Sequence, residues 1–229
     1  MIMPQKSGTE PPPSHLDYIA PLNCRKCDRL ASFIDSYRPA HPDWHNNPVP
    51  SFGPKDGVAL VLGLAPGLKG ANASGRPFTG DFAGQVLYDA LLTCGLAEGT
   101  YGAHKDDGLT LKNIRISNAV RCVPPQNKPT TAEISACRPY LSHELSNMRN
   151  LRLILCLGRI AHETCLRHYE LKISSYPFVH NQLYTLPSGI KLLSSYHCSR
   201  YNIQTKRLSH EMFQEICTRL KIEAGLEKD

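Results

Sequence analysis

The chain has 229 residues, with 26 Lys and Arg against 20 Asp and Glu and a formal net charge of +6. That length suits one sizeable α/β domain with a real core, and no run of ~18 apolar residues is present to span a membrane. The mild basic excess suits a polyanionic partner without requiring one, and nine cysteines, an odd number with no export signal, argue against a disulfide framework.

Residues 1–15 are polar and proline-rich and read as a disordered leader. With no apolar signal core, the protein is expected to be intracellular and cytoplasmic. Residues 16–229 read as one domain, without linker or internal repeat. Cys24 and Cys27 form a C-x2-C pair among Arg25, Lys26 and Arg29, and residues 22–34 read as helix. Residues 37–54 carry five prolines with Trp44 and His45 and should form an irregular crossover. The apolar run at 58–62, bounded by Gly57 and Gly63, is a buried-strand pattern. A glycine-rich loop at 63–84 follows, then a helix at 84–92 with Leu87, Leu91 and Leu92 on one side. Residues 97–111 are polar and are expected to loop out. Residues 114–119 read as a second strand ending at Asn118, and 123–129, with three prolines, cannot be helix interior. Thr130-Thr131-Ala132-Glu133 fits a capping box that opens a helix to about Met148. A third strand at 151–157, a helix at 159–168 and two short strands at 183–186 and 192–196 come next. A last helix at 202–224 presents Leu208, Met212, Ile216 and Leu220 to the sheet. Strands alternating with helices predict a parallel sheet covered on both faces.

The loop at 63–84 holds Lys69, Asn72, Arg76, Phe78 and Asp81 at the carboxyl end of a strand, where open α/β sheets bind ligands. It carries neither the P-loop nor the dinucleotide fingerprint. Asn118, at the end of the second strand, offers a donor and an acceptor side by side, as the edge of a nucleobase requires. Ser195-Tyr196-His197-Cys198-Ser199-Arg200-Tyr201-Asn202 follows the last strand, with Ser199 and Arg200 beside a helix amino terminus that favours phosphate. A flat ring, an amide and an imidazole delivered to one crevice are what a pocket for an extruded base needs. Cys24, Cys27, Cys122 and Cys137 are spaced to hold iron–sulfur or zinc. Cys94, Cys156, Cys165 and Cys217 read as ordinary buried thiols.

Gly63-Leu64-Ala65-Pro66-Gly67, Gly75-Arg76-Pro77-Phe78-Thr79-Gly80-Asp81, Asn118-Ala119-Val120-Arg121-Cys122 and Ser195-Tyr196-His197 resemble the family 5, or type B, uracil-DNA glycosylases. The resemblance runs from Cys24 to Asn202. It implies a three-layer α/β/α sandwich with a central, mostly four-stranded parallel sheet, and Cys24, Cys27, Cys122 and Cys137 as ligands of a [4Fe–4S] cluster. It also implies a monofunctional DNA glycosylase of base excision repair, which excises uracil and other deaminated bases such as hypoxanthine. The related type A family carries an acidic residue where this chain has Leu64; Asp81 is the type B candidate replacement. Cys198 stands where the family has proline, which would loosen the loop and leave an oxidation-sensitive thiol by the site.

On this reading Phe78 stacks on the base, Asn118 reads its edge, and the main chain of Leu64, Ala65, Gly67 and Phe78 adds hydrogen bonds. His197 donates to the leaving base and Asp81 steadies the sugar cation or orients water. Lys69, Arg76, Arg121, Ser199 and Arg200 contact phosphate; a Schiff base on Lys69 is the less favoured role. The partner is damaged DNA and the expected state is monomeric. The alternatives are a non-catalytic iron–sulfur protein that binds nucleic acid, and a hydrolase of free nucleotides.

Overall fold

In chain order the elements are α1 (Asp28–Tyr37), β1 (Ala59–Gly63), α2 (Ala71–Ser74), α3 (Phe82–Thr93), β2 (Ala97–Glu98), β3 (Thr110–Leu111), β4 (Ile114–Asn118) and α4 (Thr131–Asn147). Then come β5 (Leu153–Leu157), α5 (Arg159–His168), β6 (Leu183–Thr185), β7 (Lys191–Ser195), α6 (Arg200–Gln204) and α7 (His210–Glu223). The structure, a computed structural model, describes residues 20–227; the leader expected at 1–15 lies outside the described residues.

The sheet runs β4-β1-β5-β7-β6. The first four strands are parallel, and β6 pairs antiparallel with β7 as an added edge. The parallel part therefore has the four strands expected, and the complete sheet has five. Strand periodicity sets the layers. Ala59 and Val61 of β1 and Leu153, Leu155 and Leu157 of β5 pack under α3 and α7. Leu60, Leu62, Ile154 and Cys156 point the other way, against α4 and α5. Both faces are covered, which is why these strands read as unbroken apolar runs. Truncating a wholly buried leucine such as Leu62 or Leu155 to alanine should cost about 2–5 kcal/mol.

Three local readings change. Residues 97–111 do not simply loop out: β2 and β3 pair as a short antiparallel ribbon. The helix expected at 202–224 is two helices. Lys206 has a left-handed φ of 56°, and Ser209 caps α7 by accepting from the Met212 N–H at 3.1 Å. The glycine-rich loop contains a helical turn, α2, ended by Gly75 at φ 78°. The capping box at Thr130 and Glu133 forms as read, with bonds of 2.7 and 3.2 Å. No helix among the described residues is long and apolar enough to cross a membrane.

β1 is followed by β4 on one side and, one crossover later, β5 lies on its other side, so the chain reverses direction across the sheet between β1 and β5. A crevice opens at the carboxyl ends of strands at such a reversal. Gly63, Asn118, Gly158 and the 195–197 segment all arrive at that edge.

Candidate active site

Glycines make the crevice. A Cβ built on Gly63 would lie 2.4 Å from Asn118 Oδ1 and 2.6 Å from Phe78 Cζ. Only a residue without a side chain lets the ring and the amide meet across the end of β1. The same holds for Asp81: Cβ atoms on Gly67 and Gly70 would come 3.0 and 2.5 Å from its Oδ2. Asp81 is the N-cap of α3, and its Oδ1 accepts from the Gly84 N–H at 2.9 Å. A carboxylate there also meets the positive end of the helix. One oxygen is thereby fixed and the other faces the loop at Gly67 and Gly70.

The fourth group arrives from β7. The His197 ring lies 5.8 Å from the Phe78 ring, inclined by 26°. Asn202 Nδ2 donates to the His197 carbonyl at 2.8 Å and fixes the turn. Burial pulls the His197 imidazole below its usual pKa, and Asp81 only partly offsets this, so the neutral ring is favoured. Asn118 is 3% exposed, and its Oδ1 has no hydrogen-bond partner among the described residues. A buried acceptor without a donor is costly unless something else supplies one. Phe78, Asp81, Asn118 and His197 thus converge on one space, as the sequence leads one to expect.

The first motif has a narrower part. The Gly63 and Leu64 carbonyls accept from Ala119 and Val120, both at 2.9 Å, and the Gly67 carbonyl accepts from Asn72 at 3.0 Å. Leu64 and Ala65 pack against the cluster formed by Leu30, Ile34, Val120 and Val123. Three of this strip's carbonyls are thereby already taken.

Two assignments to phosphate are overturned. Arg76 is 3% exposed; its guanidinium makes a two-pronged bond to Asp107, at 2.8 and 2.7 Å, and Nε donates to Thr79 Oγ1 at 2.7 Å. Arg121 is 6% exposed and is spent on Glu144 and Ser51. Both cations are internal braces. Lys69 and Arg200 are exposed, with Arg200 5.2 Å over the Phe82 ring. Ser199 caps α6, its Oγ accepting from the Asn202 N–H at 3.4 Å. Cys198 is also corrected. It is fully buried, its Sγ donates to the Ala83 carbonyl at 3.4 Å, and burial pushes its thiol far up, so it is shielded from oxidants. Cys94, Cys156, Cys165 and Cys217 are buried as read.

Cys24, Cys27, Cys122 and Cys137 line one pocket together with Leu30, Val120 and Tyr140. Cys27 is the residue before α1, Cys122 follows Asn118 by one loop, and Cys137 sits on α4. The Arg29 guanidinium grips Glu133 at 2.8 and 2.7 Å, tying α1 to the start of α4. Burial and the neighbouring thiols push Cys122 up to about 12. Cys137 is raised mainly by burial; its Sγ accepts from the Arg121 N–H at 3.3 Å. Burial first, and neighbouring thiols second, disfavour ionisation of Cys27, Cys122 and Cys137 until a cationic centre reverses the balance, and this donor set suits such a centre. Among the described residues, no three His, Cys, Asp or Glu side chains gather tightly enough to hold a single ion.

Sequence reasoning missed Tyr101, Asp107 and Glu144. Arg115, in the middle of the otherwise apolar Ile114-Arg115-Ile116, was the available signal for Glu144: a cation in a buried strand needs a counter-charge. Its Nε donates to Glu144 Oε1 at 2.6 Å.

The uracil DNA glycosylase superfamily model matches residues 50–221. The chain is similar to a type-5 uracil-DNA glycosylase of Thermus thermophilus, 43% identical over 210 residues, covering 89% of this chain and 94% of that protein. A type-5 uracil-DNA glycosylase of Pyrobaculum aerophilum is 35% identical, covering 89% and 90%. A type-4 uracil-DNA glycosylase of Archaeoglobus fulgidus is 27% identical, covering 77% and 76%. A glycine-opened crevice, a family match over most of the chain and similarity to type-5 proteins along nearly their whole length lead to one assignment: the chain belongs to the uracil DNA glycosylase superfamily, among the type-5 uracil-DNA glycosylases.

Proposed function

We propose that this protein excises uracil from DNA by hydrolysing the N-glycosidic bond of a nucleotide swung out of the duplex. The observation that carries this is the meeting of Phe78, Asp81, Asn118 and His197 around one space, with the Asn118 acceptor unpartnered. Uracil presents an N–H donor beside a carbonyl acceptor, and the Asn118 amide offers the complement of both. Cytosine presents the reverse at its ring nitrogen and amino group and would need the amide to turn over. Hypoxanthine shares the uracil pattern at its N1–H and O6 and is the second substrate we propose.

Extrusion of the nucleotide costs a few kcal/mol. The base lies on Phe78, with N–H groups of the Leu64 to Gly67 strip adding hydrogen bonds. Bond cleavage leaves a sugar cation and a base anion. His197, neutral, donates its N–H to the anion's carbonyl oxygen, a contribution of roughly 10²–10³ in rate. Asp81, held by the Gly84 N–H through one oxygen, turns the other to the sugar cation or the attacking water, worth about 10²–10⁴. Lys69, Ser199 and Arg200 contact phosphate. A non-catalytic nucleic-acid binder would not need Asp81 and His197 in the same crevice.

Cys24, Cys27, Cys122 and Cys137 would hold a [4Fe–4S] cluster. Four thiols lining one pocket are the donor set that such a cluster takes. When bound, the cluster supplies a cross-link between the segment before α1, the loop after β4, and α4.

The test is single-turnover release of uracil from a duplex with one U:G pair. Asp81→Asn should slow release ~10²–10⁴-fold while duplex affinity stays within a few-fold. No release by the wild-type protein, or full activity of Asp81→Asn, would overturn the reading. Because the His197 imidazole is held below the usual ~6.5, release should persist through pH 6.5 and decline only below it.

A further inference from the structure

Phe78, the ring on which the proposed function rests, has a left-handed φ of 52°. A bulky residue adopts that conformation only when its surroundings over-determine it. Those surroundings can be traced bond by bond. The Pro77 carbonyl accepts from Tyr88 Oη at 2.7 Å and from Thr79 Oγ1 at 3.2 Å. The Thr79 carbonyl accepts from Ser74 Oγ at 3.1 Å. Tyr101 Oη straddles the strained peptide: it accepts from the Gly80 N–H at 3.1 Å and donates to the Phe78 carbonyl at 3.4 Å. On the far side of Phe78 there is no slack, since a Cβ on Gly84 would strike its carbonyl oxygen at 1.9 Å.

Tyr101 is itself held from below. Asp107 accepts from the Gly102 N–H at 2.9 Å and from the Leu109 N–H at 3.0 Å, closing the segment between β2 and β3 around its carboxylate. The same carboxylate takes both prongs of Arg76, and the pair is nearly dry, at 4% and 2% side-chain exposure. Arg76 lies 5.0, 5.3 and 5.8 Å from the ring centres of Phe52, Tyr88 and Tyr101. A guanidinium enclosed by three rings and a fork of hydrogen bonds has no freedom to shift. Its Nε reaches Thr79, the residue after Phe78.

We infer that Tyr101 and Asp107, acting through Arg76, are positioning residues that set Phe78 in its base-stacking pose, so that the ribbon segment after β2 governs how well an extruded base is held. The hydrogen bonds that Tyr101 and Arg76 make to residues 78–80 fall on backbone or on Thr79, and not on the Phe78 ring. The inference rests on the proposed function, because it concerns the base that Phe78 would receive.

Tyr101→Phe separates positioning from folding. It keeps the ring, which packs on Tyr88 at 4.8 Å and on Arg76, and deletes only the hydroxyl that bridges Phe78 and Gly80. We expect single-turnover release from a U:G duplex to fall about tenfold and inhibition by free uracil to weaken about as much, since small misplacements of a positioned group carry penalties of this size or larger. Affinity for an abasic-site duplex, which has no base to stack, should stay within about twofold, as should the thermal midpoint within a few degrees. Asp107→Asn should move the first two readouts further in the same direction. Wild-type release and wild-type uracil inhibition in Tyr101→Phe would overturn the inference, as would an equal loss on the abasic duplex. Failure of Asp107→Asn to fold leaves Tyr101→Phe to decide. If the wild-type protein released no uracil, the function would fall first, and that outcome is distinct from either result with the variant.

Discussion

Two buried arginines hold the two walls of the crevice, and they do so by different means. Arg76 supports the wall of Phe78, the stacking wall of the proposed function. Its partners are Thr79, Asp107 and the rings of Phe52, Tyr88 and Tyr101; none lies on α4 or beside the four cysteines, and this wall meets the other through Phe52, whose backbone pairs with Ile116 of β4. Arg121 supports the wall of Asn118, the reading wall of the proposed function, and reaches further. Its guanidinium meets Glu144 on α4 and Ser51, while its own N–H bonds Cys137. Glu144 also accepts from Ser117 Oγ at 2.7 Å and from Arg115 at 2.6 Å, and Ser117 precedes Asn118. The segment that carries Asn118 is thus connected, through one carboxylate and one arginine, to the pocket of four cysteines. A wall with no bond to α4 should respond little to what those cysteines bind, whereas a wall bonded to α4 and Cys137 should respond strongly.

The largest effects come from removing either carboxylate. Glu144→Ala leaves Arg115 and Arg121 buried without a counter-charge, and Asp107→Ala does the same to Arg76. Breaking such pairs from one side costs about 3–5 kcal/mol, measurable by denaturant unfolding. Acid should find both pairs. Burial pushes the Glu144 carboxyl up, but Arg121 and Arg115 outweigh it and hold it down to about 2. Asp107 is held down chiefly by its bonds to Arg76. A carboxyl depressed on folding contributes stability that is complete above its unfolded value, about 4, and is lost as pH falls through the folded one. Stability should therefore drop between pH 4 and 2. In Glu144→Gln the drop should be visibly smaller, and an unchanged acid limb would show that this pair contributes little.

The contrast between the walls is sharpened by Cys24→Ser. Hydrogen exchange reads each wall separately. The Ala119 and Val120 amides, bonded to Gly63 and Leu64, should exchange about tenfold or more faster in this variant. The Asn72 and Gly75 amides on the stacking side, bonded to Gly67 and Ala71, should not change. Asp107→Asn should give the opposite pattern. Equal acceleration on both sides in either variant would show one cooperative unit and end the distinction.

The sequence made some of this legible and hid the rest for physical reasons. Buried parallel strands announce themselves as short apolar runs, and the capping box at Thr130 and Glu133 is a local signature, so the sheet and α4 could be read directly. Phe78, Asp81, Asn118 and His197 could be nominated because each follows a strand and strand ends share an edge. The arginines could not be sorted. A solvated cation and a caged one are the same letter, and the difference is made by Asp107 and Glu144, which lie 31 and 23 residues from their partners. Cys198 was misjudged for the same reason: proximity to the site could be read from the sequence, but depth could not.

The smallest effects belong to the exposed cations, and they test the sorting itself. Lys69 and Arg200 stand in solvent at the crevice edge, whereas Arg76 and Arg121 do not. A cation that neutralises a phosphate releases about one counterion on binding, so its loss lowers the slope of log affinity against log salt by about one. Lys69→Ala and Arg200→Ala should each weaken binding to an abasic-site duplex a few-fold and reduce that slope by about one. Arg76→Lys, whatever it does to uracil release, should leave the slope unchanged, because a guanidinium occupied by Asp107 has no phosphate to meet. A reduced slope in Arg76→Lys would return that arginine to the DNA interface and leave the stacking wall without its brace.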